Sequence, residues 1–434
     1  MPSQSNQAPS APIDLAKWRN VPNRLIVVGA VAALIGAGLD YSLHHQLRQF
    51  AFSWLTAYMF CFCLCVGALF LVLVHHLFDA GWSVPIRRIN ENISSLLFPH
   101  MALLFLPVAV FAVPYLYQWM QVVDPQTDHS IRARQPLFTK TGFYLASAVI
   151  LLVLGFLAHG LRKWSVKQDT TGAAECTYQM RKYSYFGIFL FAFLVSLGAI
   201  LWVKALQYQW FSTMYGVQYF AGSVWTALAT VYVITMILAR NGVITHVLHQ
   251  HQFYYLGSLL FAFTVFYAYV SFSQYFIIWN ANMPEETFWF KLREHGTWFG
   301  VSMVIIFGHF FLPFLTLLRI DVKQTFKIMV PLAGWAWLMR YTDLSFNIGP
   351  VLHPEGFAWK WVWLDFGCIA FMVGLLIRGF LSRYASAAPY PLKDPRLSEA
   401  AGIIHHPSTA ISGGDLDETD FYTDGESKTS GGHK

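Results

Sequence analysis

The chain has 434 residues, 56% of them hydrophobic, 17% aromatic and only 12% charged. Soluble domains are nearer ~25% charged, so this composition excludes a water-soluble globular protein and points to an all-α integral membrane protein. The net charge of +6 does not indicate a nucleic-acid partner, because Lys and Arg lie between apolar runs instead of forming one patch.

Residues 1–24 are polar and rich in Pro and Ser, without the apolar core of a cleavable signal, and read as a cytoplasmic segment. Apolar runs then give about ten transmembrane crossings of ~20 residues or more. The first five run over Leu25–Leu43, Phe52–Phe78, Asn92–Tyr117, Thr141–Leu161 and Tyr183–Leu206. The second five run over Tyr215–Arg240, Tyr254–Trp279, Thr297–Leu318, Phe326–Phe346 and Ala358–Leu381. Pro99, Pro107 and Pro114 predict a kinked third crossing. Phe52-Ser53 echoes Phe211-Ser212, and the run from Thr141 echoes that from Thr297. Two related four-helix bundles, 51–206 and 207–350, explain the echo, with flanking helices in 25–50 and 351–384. Beyond Arg383 the chain turns polar and acidic, and 385–434 reads as a disordered cytoplasmic tail. Arg87, Arg88, Arg162, Arg181, Arg240, Arg319 and Arg378 fall on one side of the membrane, with Arg132 and Arg134 the exceptions. That asymmetry puts both termini in the cytoplasm.

The seventh crossing carries a polar stripe. Thr264, Tyr267, Ser271 and Gln274 recur at spacings of three and four, so they share one helix face, and the helix then breaks at Pro284 ahead of Glu285 and Glu286. Such a face is unfavourable in hydrocarbon unless it meets protein, water or a ligand. It is read either as ordinary helix–helix contact or as the lining of a proton route or quinone pocket. Ionisable residues inside apolar runs are the next candidates: Lys204, Arg340, Asp343 and Asp365, with His309 midway along the eighth crossing. Arg340 and Asp343, spaced i,i+3, are expected to pair. Lys204 and Arg340 could instead snorkel, whereas Asp343 and Asp365 are too short to do so. The histidines, including His75, His76, His100 and His246, do not form the matched pairs that a b-type haem needs, and no CxxCH or cluster spacing occurs. Cys61, Cys63 and Cys65 fall on differing faces and form no metal site. No metal and no cofactor of its own is assigned to this chain.

The stretches LQYQWFSTMYGVQYFAGSVW from Leu206 and FSQYFIIWNANMPEETFWF from Phe272 resemble the F-subunit family of bacterial alternative complex III, a NrfD/PsrC-like membrane protein group. The resemblance implies two four-helix bundles with flanking helices, in the bacterial inner membrane. It also implies a quinol:cytochrome c oxidoreductase, with a menaquinol or other quinone as reductant. The partners it implies are an iron–sulfur protein, a multihaem c-type cytochrome carrying haem c, and the homologous membrane protein of the C-subunit family, with a terminal oxidase as a further associate. Its motif maps onto Ser273, Gln274, Asn280, Glu285 and Glu286. The first bundle lacks the His–Asp pair expected of the C-subunit family, which favours a proton-conducting or structural role for this chain beside its quinol-oxidising homologue. The alternative, from the residues alone, is a secondary transporter with a polar site between repeated bundles. A third reading makes the chain an anchor for catalytic partners.

Overall fold

The computed structural model describes residues 16–121, 129–245 and 247–400. His246, the first 15 residues and the acidic run after residue 400 lie outside the described residues. Helices account for all regular structure among the described residues, with no strand. In chain order they are α1 (Ala16–His44), α2 (Arg48–Leu77), α3 (Val84–Ser94), α4 (His100–Pro107), α5 (Val113–Leu116), α6 (His129–Arg132), α7 (Lys140–Thr171), α8 (Ala174–Trp202) and α9 (Tyr215–Arg240). There follow α10 (Gln250–Ala281), α11 (Pro284–Lys291), α12 (Gly296–Val304), α13 (Leu312–Leu317), α14 (Ile320–Gln324), α15 (Phe326–Ile348), α16 (Val362–Ala385) and α17 (Leu397–Ala400).

Nine spans among the described residues are long and apolar enough to cross a membrane. The chain is therefore a multi-pass membrane protein by the length and composition of its helices. The ninth of the ten expected crossings, α15, is not among the nine, and it carries Lys327, Arg340 and Asp343. Large apolar side chains such as Phe186, Phe189, Phe193, Phe272 and Ile277 point outward, as hydrocarbon permits and water does not.

α2 and α9 are the most buried spans and pack on each other at the centre. Gly67 permits the close approach: a Cβ there would lie 2.3 Å from the Ser223 carbonyl oxygen and 2.6 Å from Ala227 Cβ. α1 lies along α16, where a Cβ at Gly29 would reach the Phe371 backbone nitrogen at 2.3 Å. The third crossing is broken, as its prolines predict. A 3-10 turn at Ser95–Leu97 precedes α4, and a π-turn at Val108–Ala112 lies between Pro107 and Pro114. A second π-turn, Ile305–Phe311, lies between α12 and α13 ahead of Pro313.

The helix ends gather into two faces. At the α1–α2 end, Arg293 meets Gln207 and His353 meets Gln49; at the α2–α3 end, Arg181 meets Asp79 and Leu392 meets Asp169. This second face corrects one expectation. The tail was predicted to be disordered from residue 385, yet residues 386–400 fold back on the bundle. Asp394 is buried against Arg87, and Gln252 donates to the Ala400 carbonyl at 3.0 Å. The ordering has an electrostatic cause, because Asp394 is the counter-ion of an arginine that would otherwise be buried in excess.

Candidate functional site

α9, α10, the second π-turn and α15 surround a polar core. α9 touches α10 and α15, and the π-turn touches both as well. The stripe on α10 faces inward: Thr264, Tyr267 and Gln274 are buried and Ser271 is half-buried. Thr264 Oγ1 donates to the Leu260 carbonyl at 2.8 Å and accepts from Trp225 Nε1 at 2.8 Å, so its role is helix contact. One turn on, Tyr267 OH donates to Asp343 Oδ1 at 2.6 Å. Arg340 and Asp343 form the expected i,i+3 pair, Nη1 to Oδ2 at 2.7 Å, and both are buried, so Arg340 does not snorkel. Asn347 Nδ2 donates to the Asp343 carbonyl oxygen at 2.7 Å and to Oδ1 at 3.1 Å. The Arg340 guanidinium also lies 4.8 Å from the centre of the Tyr219 ring.

His309 completes the core. Its imidazole is sandwiched between Trp225 and Tyr267, with centroids 4.1 and 4.0 Å away and both interplanar angles 22°. The ring is fully buried, and neither nitrogen meets a hydrogen-bond partner among the described residues. The π-turn brings it there: the wide turn lets the Gly308 carbonyl accept from Trp335 Nε1 at 2.7 Å while the next residue projects inward. Ser271 Oγ, Gln274 Oε1, Arg340 Nε and Asn347 Oδ1 are likewise buried without a hydrogen-bond partner among the described residues. Buried polar atoms are ordinarily satisfied, so unpartnered ones in this region call for an explanation such as bound water or a functional role.

At the α1–α2 end Asn347 packs with Lys204, Gln207, Trp210, Tyr215 and Trp289 around a space too tight to admit a water molecule. Lys204 sits in the 3-10 turn after α8, beyond the end of that membrane-length helix. Burial first, and the Arg134 charge second, push its amine down to about 7. Its ammonium lies 5.1 Å from the centre of the Phe211 ring.

The remaining candidates lie elsewhere. Ser273 is half-buried on the flank of α10, and Asn280 is exposed and bonds its own helix at the Phe276 carbonyl. Glu285 is exposed and Glu286 half-buried in the first turn of α11, with no ion pair among the described residues. Asp365 belongs to a small cleft of about 40 Å³ at the α1–α2 end, between α2, α15 and α16, where Tyr341 OH donates to it at 2.8 Å. Trp298, Phe357 and Trp361 form aromatic walls, and His353 and Gln49, in contact at 2.7 Å, share the lining.

No known protein-family model matches the chain, and no curated protein does. The site is therefore read from its own residues.

Several participants were not singled out from sequence. Trp225 and Asn347 carry no signal of their own. Arg293 is buried without a carboxylate partner among the described residues; it donates to the carbonyls of Phe346, Trp289 and Asn347 and stacks 3.5 Å over Trp289. Lys323 is also buried, its ammonium 5.4 and 5.3 Å from the rings of Tyr254 and Phe261. The Arg87–Glu91 and Arg88–Glu91 pairs of α3, at 2.9 and 3.4 Å, were foreshadowed by i,i+4 and i,i+3 spacing in VPIRRINENIS.

Proposed function

We propose that this chain is a cofactor-free membrane subunit of a respiratory quinol:cytochrome c oxidoreductase of the alternative complex III type, contributing a transmembrane proton path through its second four-helix bundle. The observation that carries the reading is the buried cluster of Asp343, Arg340, Tyr267 and His309. A carboxylate held by one arginine and one phenol, beside an imidazole whose nitrogens meet no partner among the described residues, can exchange protons without leaving a bare charge in hydrocarbon. Asn347, which donates to Asp343, also borders the tight space beside Lys204. The first bundle offers a contrast that supports an asymmetric division of labour, because its interior holds aromatic packing of Tyr58, Phe62, Phe105 and Trp202. On this reading α15 is a tenth crossing beside the nine membrane-length spans of the described residues, and α1 and α16 flank two bundles. Iron–sulfur and haem c proteins would dock against such a chain, with both termini cytoplasmic.

The cleft beside Asp365, at about 40 Å³, has room for a water or two and none for a quinone ring, so the reading rests on the proton path. In the alternative, a secondary transporter, the polar core would bind a solute.

The decisive experiment uses the assembled complex in proteoliposomes, measuring quinol oxidation and proton release together. Asp343→Asn is expected to abolish the protons released beyond the two that each quinol yields on oxidation, or to slow turnover by about 100-fold, the lower end of what a positioned proton-transfer group contributes. Glu286→Gln, outside the core, is expected to behave as the unmodified protein. Full coupling in Asp343→Asn would remove the core from the path. Solute uptake by the isolated chain would favour the transporter.

A further inference from the structure

At the α2–α3 end, far from the polar core, the chain holds a network of charges, buried at Arg87, Arg88, Glu91 and Asp394 and reaching the surface at Asp79 and Arg181. Arg87 pairs with Glu91 at 2.9 Å and with Asp394, and Arg88 pairs with Glu91 at 3.4 Å and Asp169 at 2.5 Å. Arg396 pairs with Asp394 at 3.1 Å and Asp79 at 2.9 Å, and Arg181 pairs with Asp79 at 2.6 Å. Four arginines thus face four carboxylates, and the formal charge is zero. Two of these eight groups, Asp394 and Arg396, belong to the strap of residues 386–400. That strap has little regular structure, so side chains and isolated backbone contacts hold it. They include the Leu392 N–H to Asp169 Oδ1 at 3.0 Å and Lys393 Nζ to the Thr170 carbonyl at 2.5 Å.

His75 lies at the junction. Its Nε2 is approached by Arg87 Nη1 at 3.1 Å and Arg396 Nη2 at 3.3 Å. Both neighbours are donors that cannot release a proton, so Nε2 must accept. The other nitrogen, Nδ1, meets Ser83 Oγ at 2.6 Å, and that hydroxyl donates to the Ala80 carbonyl, leaving Nδ1 as the N–H. The contacts therefore fix a neutral imidazole of one tautomer. A proton on Nε2 would set a third cation against two guanidiniums in a buried site and break the balance of charges.

We infer that residues 386–400 are a pH-gated latch over the α2–α3 end, closed while His75 is neutral and released when His75 is protonated. The other groups facing this junction are His76 and Asp79 from α2 and the loop after it, Arg87, Arg88 and Glu91 from α3, Ser165 and Asp169 from α7, Arg181 from α8, and Asp394 and Arg396 from the strap. Burial pushes the Asp394 carboxyl up, but Arg87 and Arg396 outweigh it and hold the group well below the usual carboxylate range. Its anchoring is complete above the ordinary carboxylate range and is lost only in stronger acid, so Asp394 does not account for release near neutrality. His76, buried with its ring edge-on to His75 at 4.8 Å, is the competing titrating group.

The test is hydrogen exchange of the full chain in detergent, corrected for intrinsic rates and read on residues 386–400 at about pH 7.5 and about pH 5.5. Protection is expected to fall about tenfold on acidification, the change that one pH unit of protonation linkage gives. His75→Gln, which keeps an acceptor but no titrating group, is expected to hold the strap closed at both pH values. His75→Arg, which keeps its charge even when buried, is expected to leave it open at both. Equal protection of the unmodified strap at both pH values overturns the inference. So does an acid release that persists in His75→Gln and disappears in His76→Gln, which would name the neighbouring histidine.

Discussion

Gly222 is the residue against which Arg340 is fitted. A Cβ at that position would lie 2.2 Å from Arg340 Nη1, the nitrogen that holds Asp343. Gly222→Ala should therefore displace the guanidinium from its carboxylate without altering any titrating group. Overpacking of this kind costs about 1–3 kcal/mol, visible as a lower thermal midpoint in detergent. Proton coupling should fall as in Asp343→Asn. A variant with both stability and coupling intact would show that the Arg340–Asp343 geometry is not needed. Arg340→Met should be worse, by about 3–5 kcal/mol, because it leaves a buried carboxylate uncompensated. Adding Asp343→Leu to it should recover part of that loss in thermal unfolding, and a double variant no more stable than Arg340→Met would argue against a buried ion pair. Arg340 and Asp343 were recognisable from spacing alone, because i,i+3 pairing is local. The contribution of Gly222 depends on two helices meeting and could not be read from one.

At the scale of elements, the stripe on α10 was legible because helical period fixes a face regardless of tertiary context. What the face meets was not. Thr264 proved to be a packing contact for Trp225, while Tyr267 reached a carboxylate on α15. The inward turn at His309 depends on a π-turn, and hydropathy has no term for the extra residue that such a turn accommodates. The tail from residue 385 misled for a related reason: its composition is that of a solvated segment, and the partner of Asp394 lies in α3. The pairing of α1 with α16 is another long-range fact. Gly29 and Gly367 let these helices touch, with a Cβ at Gly367 only 2.6 Å from Ala32 Cβ. Gly29→Leu should pry α1 from α16 while leaving the α9–α15 core in place. The expected readout is faster exchange across Ala16–His44 with normal proton coupling. Unchanged exchange in α1 would show that its seat does not depend on this contact.

Across the whole molecule the two ends solve the burial of charge differently, and the difference predicts a pH dependence. The α2–α3 end matches arginines with carboxylates, whereas at the α1–α2 end Lys204 lies buried over Phe211 with no ion pair among the described residues. In the unfolded chain Lys204 would titrate near its ordinary 10.5, and in the folded protein near about 7. The folded state therefore binds fewer protons between those values, and stability rises as pH climbs from about 7 toward about 10.5. The linked term is roughly 1.4 kcal/mol per pH unit within that window. Lys204→Met removes the buried amine, so its gain in thermal midpoint over the unmodified protein should be largest at about pH 6 and shrink steadily toward about pH 9. Comparing the two proteins cancels the groups they share, the His75 junction included. A gain independent of pH would mean that Lys204 is solvated in the folded protein, and would remove the reason for placing it at the mouth of the proton path. A gain that shrinks with pH, together with weaker proton release in the assembled complex, would place at that mouth an amine neutral enough near pH 7 to take up the proton it passes on.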